Sequence, residues 1–179
     1  NRMIKTIDTI NSQISFTKVY QEIGVTAPKW QHVPTVIARA SKGSQIPHIE
    51  VDKHLSDLYI LADPFLEKIF FCLFDNSERH GKRVSIAKFS CNKEENQISL
   101  IYEDDGIGIA DHEKEKIFER GFGSNTGYGL FLTREIASIS GFSIQETGEY
   151  GKGVRFEISI PNGSWSTGMH EQNGLIIRD

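Results

Sequence analysis

Hydrophobic and polar positions change period several times along the chain, and each change marks an element. Met3, Ile7, Ile10 and Ile14 step by four, three and four residues, which puts them on one narrow stripe of a helix. Gly24 and Pro28 stop it, and a helix of about 23 residues is about 35 Å long. Such a stripe serves either as a coiled-coil or bundle seam or as a face packed on the domain's own body, and the pattern fits both. Residues 25–50 are transitional: Pro28, Trp30 and Pro34 punctuate them, Val36 to Ala40 suits a short helix, and Lys42-Gly43-Ser44 suits a loop. After Pro47, Ile49 and Val51 alternate with polar residues as an edge strand does.

Asp63-Pro64 opens the best-defined helix, with Asp as N-cap and Pro at the first helical position. Leu66, Ile69, Phe70 and Leu73 form its apolar face, and Gly81 closes it. Two period-2 segments follow, Val84, Ile86 and Phe89, then Ile98, Leu100 and Tyr102, joined by a polar turn from Asn92 to Asn96. Asp111 is expected to cap a short helix ending near Phe118. A Gly-rich stretch from Gly121 to Gly129 leads into a third helix, Tyr128 to Ser140. Phe142 to Gln145 and Val154 to Ile160 complete the strands, and Asn162 to Asp179, which lacks periodicity, is expected to be loose. Strands that follow one another as hairpins, without strict β-α-β alternation, predict an α/β (α+β) two-layer sandwich. Its sheet is mixed and mostly antiparallel, with helices on one face and one long helix in front.

Composition then narrows the function classes. The 179 residues leave room for one domain and a small appendage. Asp and Glu number 24 against 20 Lys and Arg, so the net charge of −4 does not suit a basic nucleic-acid binder. The longest apolar run, Ile69 to Phe74, falls far short of the roughly 20 residues a membrane-spanning helix needs. Cys72 and Cys91 sit in apolar stretches without metal-ligand spacing, which points to free thiols in a reducing compartment. No extended apolar region follows Asn1-Arg2-Met3, so no signal peptide is expected, and the Asn start points to a chain cut from something longer.

Three clusters break local rules. In Asn76 to Gly81, Asn76 extends the apolar stripe of Ile69 and Leu73 as a polar group, with Arg79 and His80 in the next turn. An amide oxygen suits Mg²⁺, and Arg and His suit a phosphate; the plainer reading is a helix end carrying cations that complement its dipole. In Glu103-Asp104-Asp105-Gly106-Ile107-Gly108-Ile109, glycines allow close backbone approach to a flat ligand, and a carboxylate can accept from an exocyclic amine. The plainer reading there is an acidic Asp-Gly turn or a weak calcium loop, although the EF-hand spacing is lacking. Gly121 to Leu130 places glycines at a helix N-terminus, where free amides attract anions. It matches neither GxGxxG nor GxxxxGK[ST], and glycines alone are weak grounds. Together the clusters supply what an adenine nucleotide and Mg²⁺ require.

In this order the residues resemble the catalytic domain of histidine kinases, within the superfamily that also holds gyrase, mismatch-repair and chaperone ATPases. Asn76 to Gly81 looks like its N box, and Asp104-Asp105-Gly106-Ile107-Gly108 like its G1 box. Ile117 to Phe122 looks like its F box, and Thr126-Gly127-Tyr128-Gly129-Leu130 like its G2 box. The likeness runs over about residues 28–161, ending in a hairpin from Gly151 to Pro161. It implies Mg²⁺ on Asn76, phosphate contacts from Arg79 and His80, and the adenine amino group on Asp104, with Gly106, Gly108 and Ile109 shaping the base pocket. It also implies backbone from Thr126, Gly127, Tyr128, Gly129 and Leu130 to the phosphates, and a short ATP lid from Phe118 to Thr126.

Residues 1–27 then resemble the second helix of a dimerisation and phosphoacceptor domain, with 162–179 as a tail. The family's acceptor is a His followed by an acid on the first dimerisation helix; His112-Glu113 in the F-box region and His170-Glu171 in the stretch after Pro161 have that pair but lie on no such helix, so the acceptor is expected outside this chain. The resemblance implies ATP and Mg²⁺ as cofactors, and as partners the same protein's phosphoacceptor domain, a response regulator receiver domain and a second copy. It implies no nucleic acid, and a cytoplasmic location. Two positions depart from the pattern. Hydrolysing relatives carry a catalytic Glu where Cys72 stands, so phosphoryl transfer is favoured over hydrolysis. The Thr that often supports the adenine-binding Asp is missing near Val154 and Arg155. An ATP-hydrolysing relative and a degenerate interaction module remain the alternatives.

Overall fold

A computed structural model describes residues 13, 14, 16–123 and 127–168. The first helix, α1, is helical at residues 13, 14 and 16–22. Ile23 joins the core and Phe16 and Val19 pack against it, while Ile14 is 62% exposed. At this end of the helix the packing face is therefore not the one that carries Ile14; the other members of the stripe, Met3, Ile7 and Ile10, lie outside the described residues.

A strand β1 (Lys29–His32) leads into α2 (Val33–Ala40), which begins three residues earlier than expected because Pro34 sits in its first turn, where a missing N–H costs nothing. The edge strand β2 (His48–Val51) is as expected, and β3 (Leu58–Ala62) follows. The central helix α3 spans Leu66–His80 and ends at Gly81. Asp63 is not its N-cap residue, a place Phe65 takes, but it performs the capping chemistry: its Oδ1 accepts from Phe65 N at 2.8 Å and its carbonyl from Leu66 N at 3.0 Å. The hairpin β4 (Ile86–Lys93) and β5 (Gln97–Asp104) comes next.

The short helix expected from Asp111 is instead two separate 3₁₀ turns, Asp111–Glu113 and Lys116–Phe118. Its only large apolar residues, Ile117 and Phe118, are adjacent, so no helical stripe rewards the cost of nucleation. The helix α4 (Gly129–Ile139) and strands β6 (Ser143–Glu146) and β7 (Arg155–Pro161) follow. The stretch after Pro161 is not wholly loose. Trp165–Thr167 form β8 against β3, and Leu61 N donates to Ser164 O at 2.8 Å. Residues 169–179 lie outside the described residues.

Five strands form one sheet in the order β2-β4-β5-β7-β6, parallel between β2 and β4 and antiparallel elsewhere. The mixed, mostly antiparallel sheet is thus as predicted. A second sheet, β1-β3-β8, was not foreseen. The core lies between the larger sheet and α3, where Phe70 and Phe74 meet Phe89 edge-on at 5.3 and 5.7 Å, and Phe74 meets Tyr102 at 5.7 Å. The buried Tyr102 hydroxyl is satisfied by Ser77 Oγ at 2.8 Å. Bringing α3 down on β5 in this way sets the helix carrying Asn76 beside the strand that ends in Asp104.

Candidate functional site

The site is organised along the second half of α3. Cys72 is buried next to the start of α4, since a Cβ on Gly129 would come 3.8 Å from its sulfur. Nine residues on, Gly81 meets the turn after β5: a Cβ on Gly106 would approach Gly81 Cα to 2.8 Å. Half-buried Asn76 lies between these two contacts. From Cys72 to Gly81 the helix rises about 13 Å, so the acidic turn and the glycine-rich helix start stand apart along one helix with an amide between them. Ser77, the next residue, points into the core instead.

Burial pushes the Cys72 thiol up to about 11. It is therefore protonated near neutral pH and cannot take a proton from water. Arg79 is exposed and paired with Asp75 at 2.6 Å, a surface pair worth about 0–1 kcal/mol and easily exchanged for another anion. His80 is exposed in the last turn of α3.

Asp104 ends β5 and is 7% exposed. Its Oδ1 accepts from Gly106 N at 2.9 Å and Val154 N at 3.0 Å, whereas buried Oδ2 has no partner among the described residues. A buried carboxylate oxygen left bare is costly, so this atom waits for a donor. The support that a Thr was expected to give is supplied by the backbone of Val154. The neighbouring Asp105 serves another purpose: it is exposed and binds Ser85 N, Ser85 Oγ and Ile86 N at the start of β4. Desolvation pushes its carboxyl up, but those hydrogen bonds outweigh it and hold the group below the usual range.

Gly108 lies against the last hairpin, where an added Cβ would come within 2.7 Å of Gly153 O. Ile109 packs half-buried on the core. Gly106 adjoins the Asp104 carboxylate, since an added Cβ would come 3.1 Å from Oδ1, so Gly106, Gly108 and Ile109 form a low wall in the turn after Asp104. Phe118 is buried in the core, edge-on to Phe156 at 6.1 Å and covered by Arg134 at 4.2 Å. The loop expected to be a lid is closed at its base, where Gly121 N donates to Gly127 O at 3.1 Å. Thr126 lies outside the described residues.

Gly129 and Leu130 open α4, whose first amides have no intrahelical acceptor. The Tyr128 ring is taken by α1: it stacks on Phe16 at 4.2 Å, with the Arg120 guanidinium 5.7 Å from both rings. The ring face of Tyr128 is thus engaged by α1, while its backbone stands at the start of α4. Among the described residues no three His, Cys, Asp or Glu side chains gather as a metal cage, and a lone hard amide such as Asn76 suits Mg²⁺ that keeps its waters and phosphates. Bare Oδ2, the glycine wall and the open helix start fit an adenine nucleotide. Sequence reasoning missed Glu146 and Lys114, which brace this corner; the one signal was Glu146 following Ile144 in the buried phase of β6.

The chain matches the family model described as "Histidine kinase-, DNA gyrase B-, and HSP90-like ATPase" over residues 62–164. It is 29% identical over 115 residues to the Bacillus subtilis (strain 168) protein named "Probable C4-dicarboxylate sensor kinase", covering 62% of this chain and 20% of that one. To "Sensor protein SrrB" of Staphylococcus aureus it is 30% identical over 105 residues, covering 54% and 18%. The chain thus spans about a fifth of the length of these relatives. Among solved structures, full-length ShkA in complex with AMPPNP is similar with a TM-score of 0.69 at 18% identity, covering 92% of this chain and 37% of that one. The ATP binding domain of PrrB from Mycobacterium tuberculosis is similar with a TM-score of 0.63 at 18% identity, covering 78% and 100%. At such identities the structural likeness concerns the fold.

Proposed function

Because the chain belongs to the family of histidine kinase-, DNA gyrase B- and HSP90-like ATPases, we propose that it is the ATP-binding catalytic domain of a two-component sensor histidine kinase. The observation that carries this reading is Asp104, buried, with one oxygen fixed by two backbone amides and the other bare. A bare acceptor beside a glycine wall selects a flat ring with an exocyclic amine. Gly106, Gly108 and Ile109 line that ring, and the amides of Thr126, Gly127, Tyr128, Gly129 and Leu130 receive the phosphates. Asn76 holds Mg²⁺ through its amide oxygen. Arg79, released from its exposed pair with Asp75, and His80 neutralise phosphate oxygens. Phe118 supports the pocket from the core. Bound Mg-ATP supplies the transferable γ-phosphoryl group and the metal charge that offsets its negative oxygens.

The protein's own part is positioning. Cys72, protonated where hydrolysing relatives carry a Glu, leaves the site without a base for water, which favours transfer to a histidine beyond this chain over hydrolysis. Residues 1–27 then belong to the dimerisation and phosphoacceptor domain, residues 28–161 to the catalytic domain, and residues 162–179 form a tail that begins with β8. The partners are that phosphoacceptor domain, a response regulator receiver domain and a second copy, in the cytoplasm. No helix among the described residues is long and apolar enough to cross a membrane.

A thermal-shift titration tests the reading. Mg-ATP raises the melting temperature of the wild type, and Asn76→Ala removes the Mg²⁺-dependent part of the shift while metal-free ADP still binds. Absence of any Mg²⁺-dependent shift in the wild type would refute it in favour of a degenerate module. Steady phosphate release would favour the hydrolysing relative.

A further inference from the structure

We propose that Glu146 is a positioning residue for base recognition: it holds the turn between β6 and β7 so that Val154 N–H fixes the Asp104 carboxylate. The inference rests on the reading of Asp104 as the adenine-binding group. Glu146 is the last residue of β6, and its side chain has no exposed surface. Burying a carboxylate is costly unless it is paired and hydrogen-bonded, so its surroundings show what it does. Oε1 accepts from Gly148 N at 3.0 Å and from Arg155 N at 3.1 Å, the two ends of the turn. Oε2 has no hydrogen bond; Lys114 Nζ stands at 3.5 Å, an ion-pair distance. The same ammonium donates to Gly148 O and pairs with Asp111 Oδ1 at 3.0 Å. One carboxylate thus pins both ends of the turn, and Lys114 ties the turn to the segment that follows the Asp104 loop. Asp111 first, and Glu146 with it, hold the Lys114 ammonium above its usual range.

The link to Asp104 is one peptide long. Arg155 N goes to Glu146 and Val154 N, the adjacent amide, goes to Asp104 Oδ1 at 3.0 Å. The two amides lie in adjacent planar peptide units joined at the Cα of buried Val154, so only the two dihedrals of that one residue separate their directions. The turn has no slack towards Asp104, since a Cβ on Gly153 would fall 1.8 Å from Asp104 O. Two buried carboxylates therefore hold adjacent amides of one short, closely packed backbone segment. Asp104 faces the ligand with its bare oxygen, and Glu146 keeps that oxygen aimed without touching the ligand.

ADP and IDP, which differ in the exocyclic amine, separate this role from bracing in general. Calorimetry on the wild type is expected to favour ADP. Glu146→Gln, which repels Lys114 and loosens the turn, is expected to weaken ADP by about five- to tenfold, the effect of one hydrogen bond, with IDP nearly unchanged. Equal losses for both nucleotides, or an unchanged ADP to IDP ratio, would overturn the proposal alone. A wild type without ADP preference would overturn the reading of Asp104 and the proposal with it. Should Glu146→Gln fail to fold, Glu146→Gln/Lys114→Met removes the ion pair as a unit, and the same ratio decides on the same terms.

Discussion

Asp104→Asn is the sharpest perturbation the site allows, because the backbone dictates how the new side chain must sit. Oδ1 accepts from two amides, Gly106 N and Val154 N. Both are donors, so an asparagine must turn its carbonyl oxygen towards them. Its NH₂ group then occupies the place of Oδ2, the buried oxygen that has no partner. The substitution leaves the internal hydrogen bonds in place and converts the ligand-facing acceptor into a donor. Against the amino group of adenine, a donor now meets a donor. The loss is at least that of a hydrogen bond to a charged group, about 1.5–3 kcal/mol, or about tenfold to a hundredfold in affinity. Hypoxanthine carries a carbonyl at the same ring position, so IDP gains a matched partner. Calorimetric titration of wild type and Asp104→Asn with ADP and IDP is expected to show the preference fall and reverse. An Asp104→Asn protein that melts normally and binds ADP within threefold of the wild type would refute the assignment.

Two further outcomes follow from packing and burial. Burial lifts the Cys72 thiol from 9.0 in its ordinary state to about 11, so its contribution to stability is intact below pH 9 and lost as pH rises towards 11. The denaturation midpoint of the wild type is expected to fall more steeply over that interval than that of Cys72→Ala, with buried Tyr102 common to both; parallel slopes would contradict the burial argument. Phe16→Ala removes a stack worth about 0.5–1.5 kcal/mol beyond its area, and amide hydrogen exchange over residues 128–131 is expected to quicken. Unchanged exchange there would show that α1 does not restrain the start of α4.

Much of the sheet and most of the candidate site were legible, for different reasons. The β4–β5 hairpin shows because alternation over eight-residue strands is a strong signal, and each strand has one face on the core. Strand β3 is harder to read: Leu58 to Ala62 is an almost unbroken apolar run, in which burial alternates although hydropathy does not. With β3 unseen, three-residue β8 had no visible partner, and its stretch read as loose. Within the site, Asn76, Asp104 and the glycines are legible because polar or glycine residues interrupt apolar patterns. Glu146 is not, because its task is to satisfy two backbone amides, those of Gly148 and Arg155, a relation that exists only after β6 and β7 have paired. Val154 shows the same limit. Its side chain offers nothing to a carboxylate, and the supporting group is the backbone that every residue carries.

The packing of α1 ties these observations together. Its sequence left two arrangements open, and the described part divides between them. Ile14 of the predicted stripe stays exposed, free for a seam, while Phe16, Val19 and Ile23 turn the opposite side of the helix onto the domain. That second face follows α4 along its length. At the start of α4, Phe16 stacks on Tyr128 and lies 6.1 Å from Phe131. At its end, Gly24 abuts Ile139, where an added Cβ would come within 3.0 Å of Ile139 Cδ1. Gly24 N donates to Asp63 Oδ2 at 2.8 Å, and Asp63 N in turn donates to Ser140 Oγ at 3.0 Å. Asp63 is 1% exposed and also accepts from the first turn before α3. One buried residue, Asp63, therefore joins the end of α1 and the entry to α3 through its carboxylate and the exit of α4 through its backbone N–H, while an aromatic stack joins α1 to the other end of α4. A shift of α1 must either break one of these attachments or carry α4 with it. The helix α4 begins with Gly129 and Leu130, whose amides face the phosphates in the proposed reading, and α1 and this start of α4 are tied by contacts that a displacement of either must break or carry along.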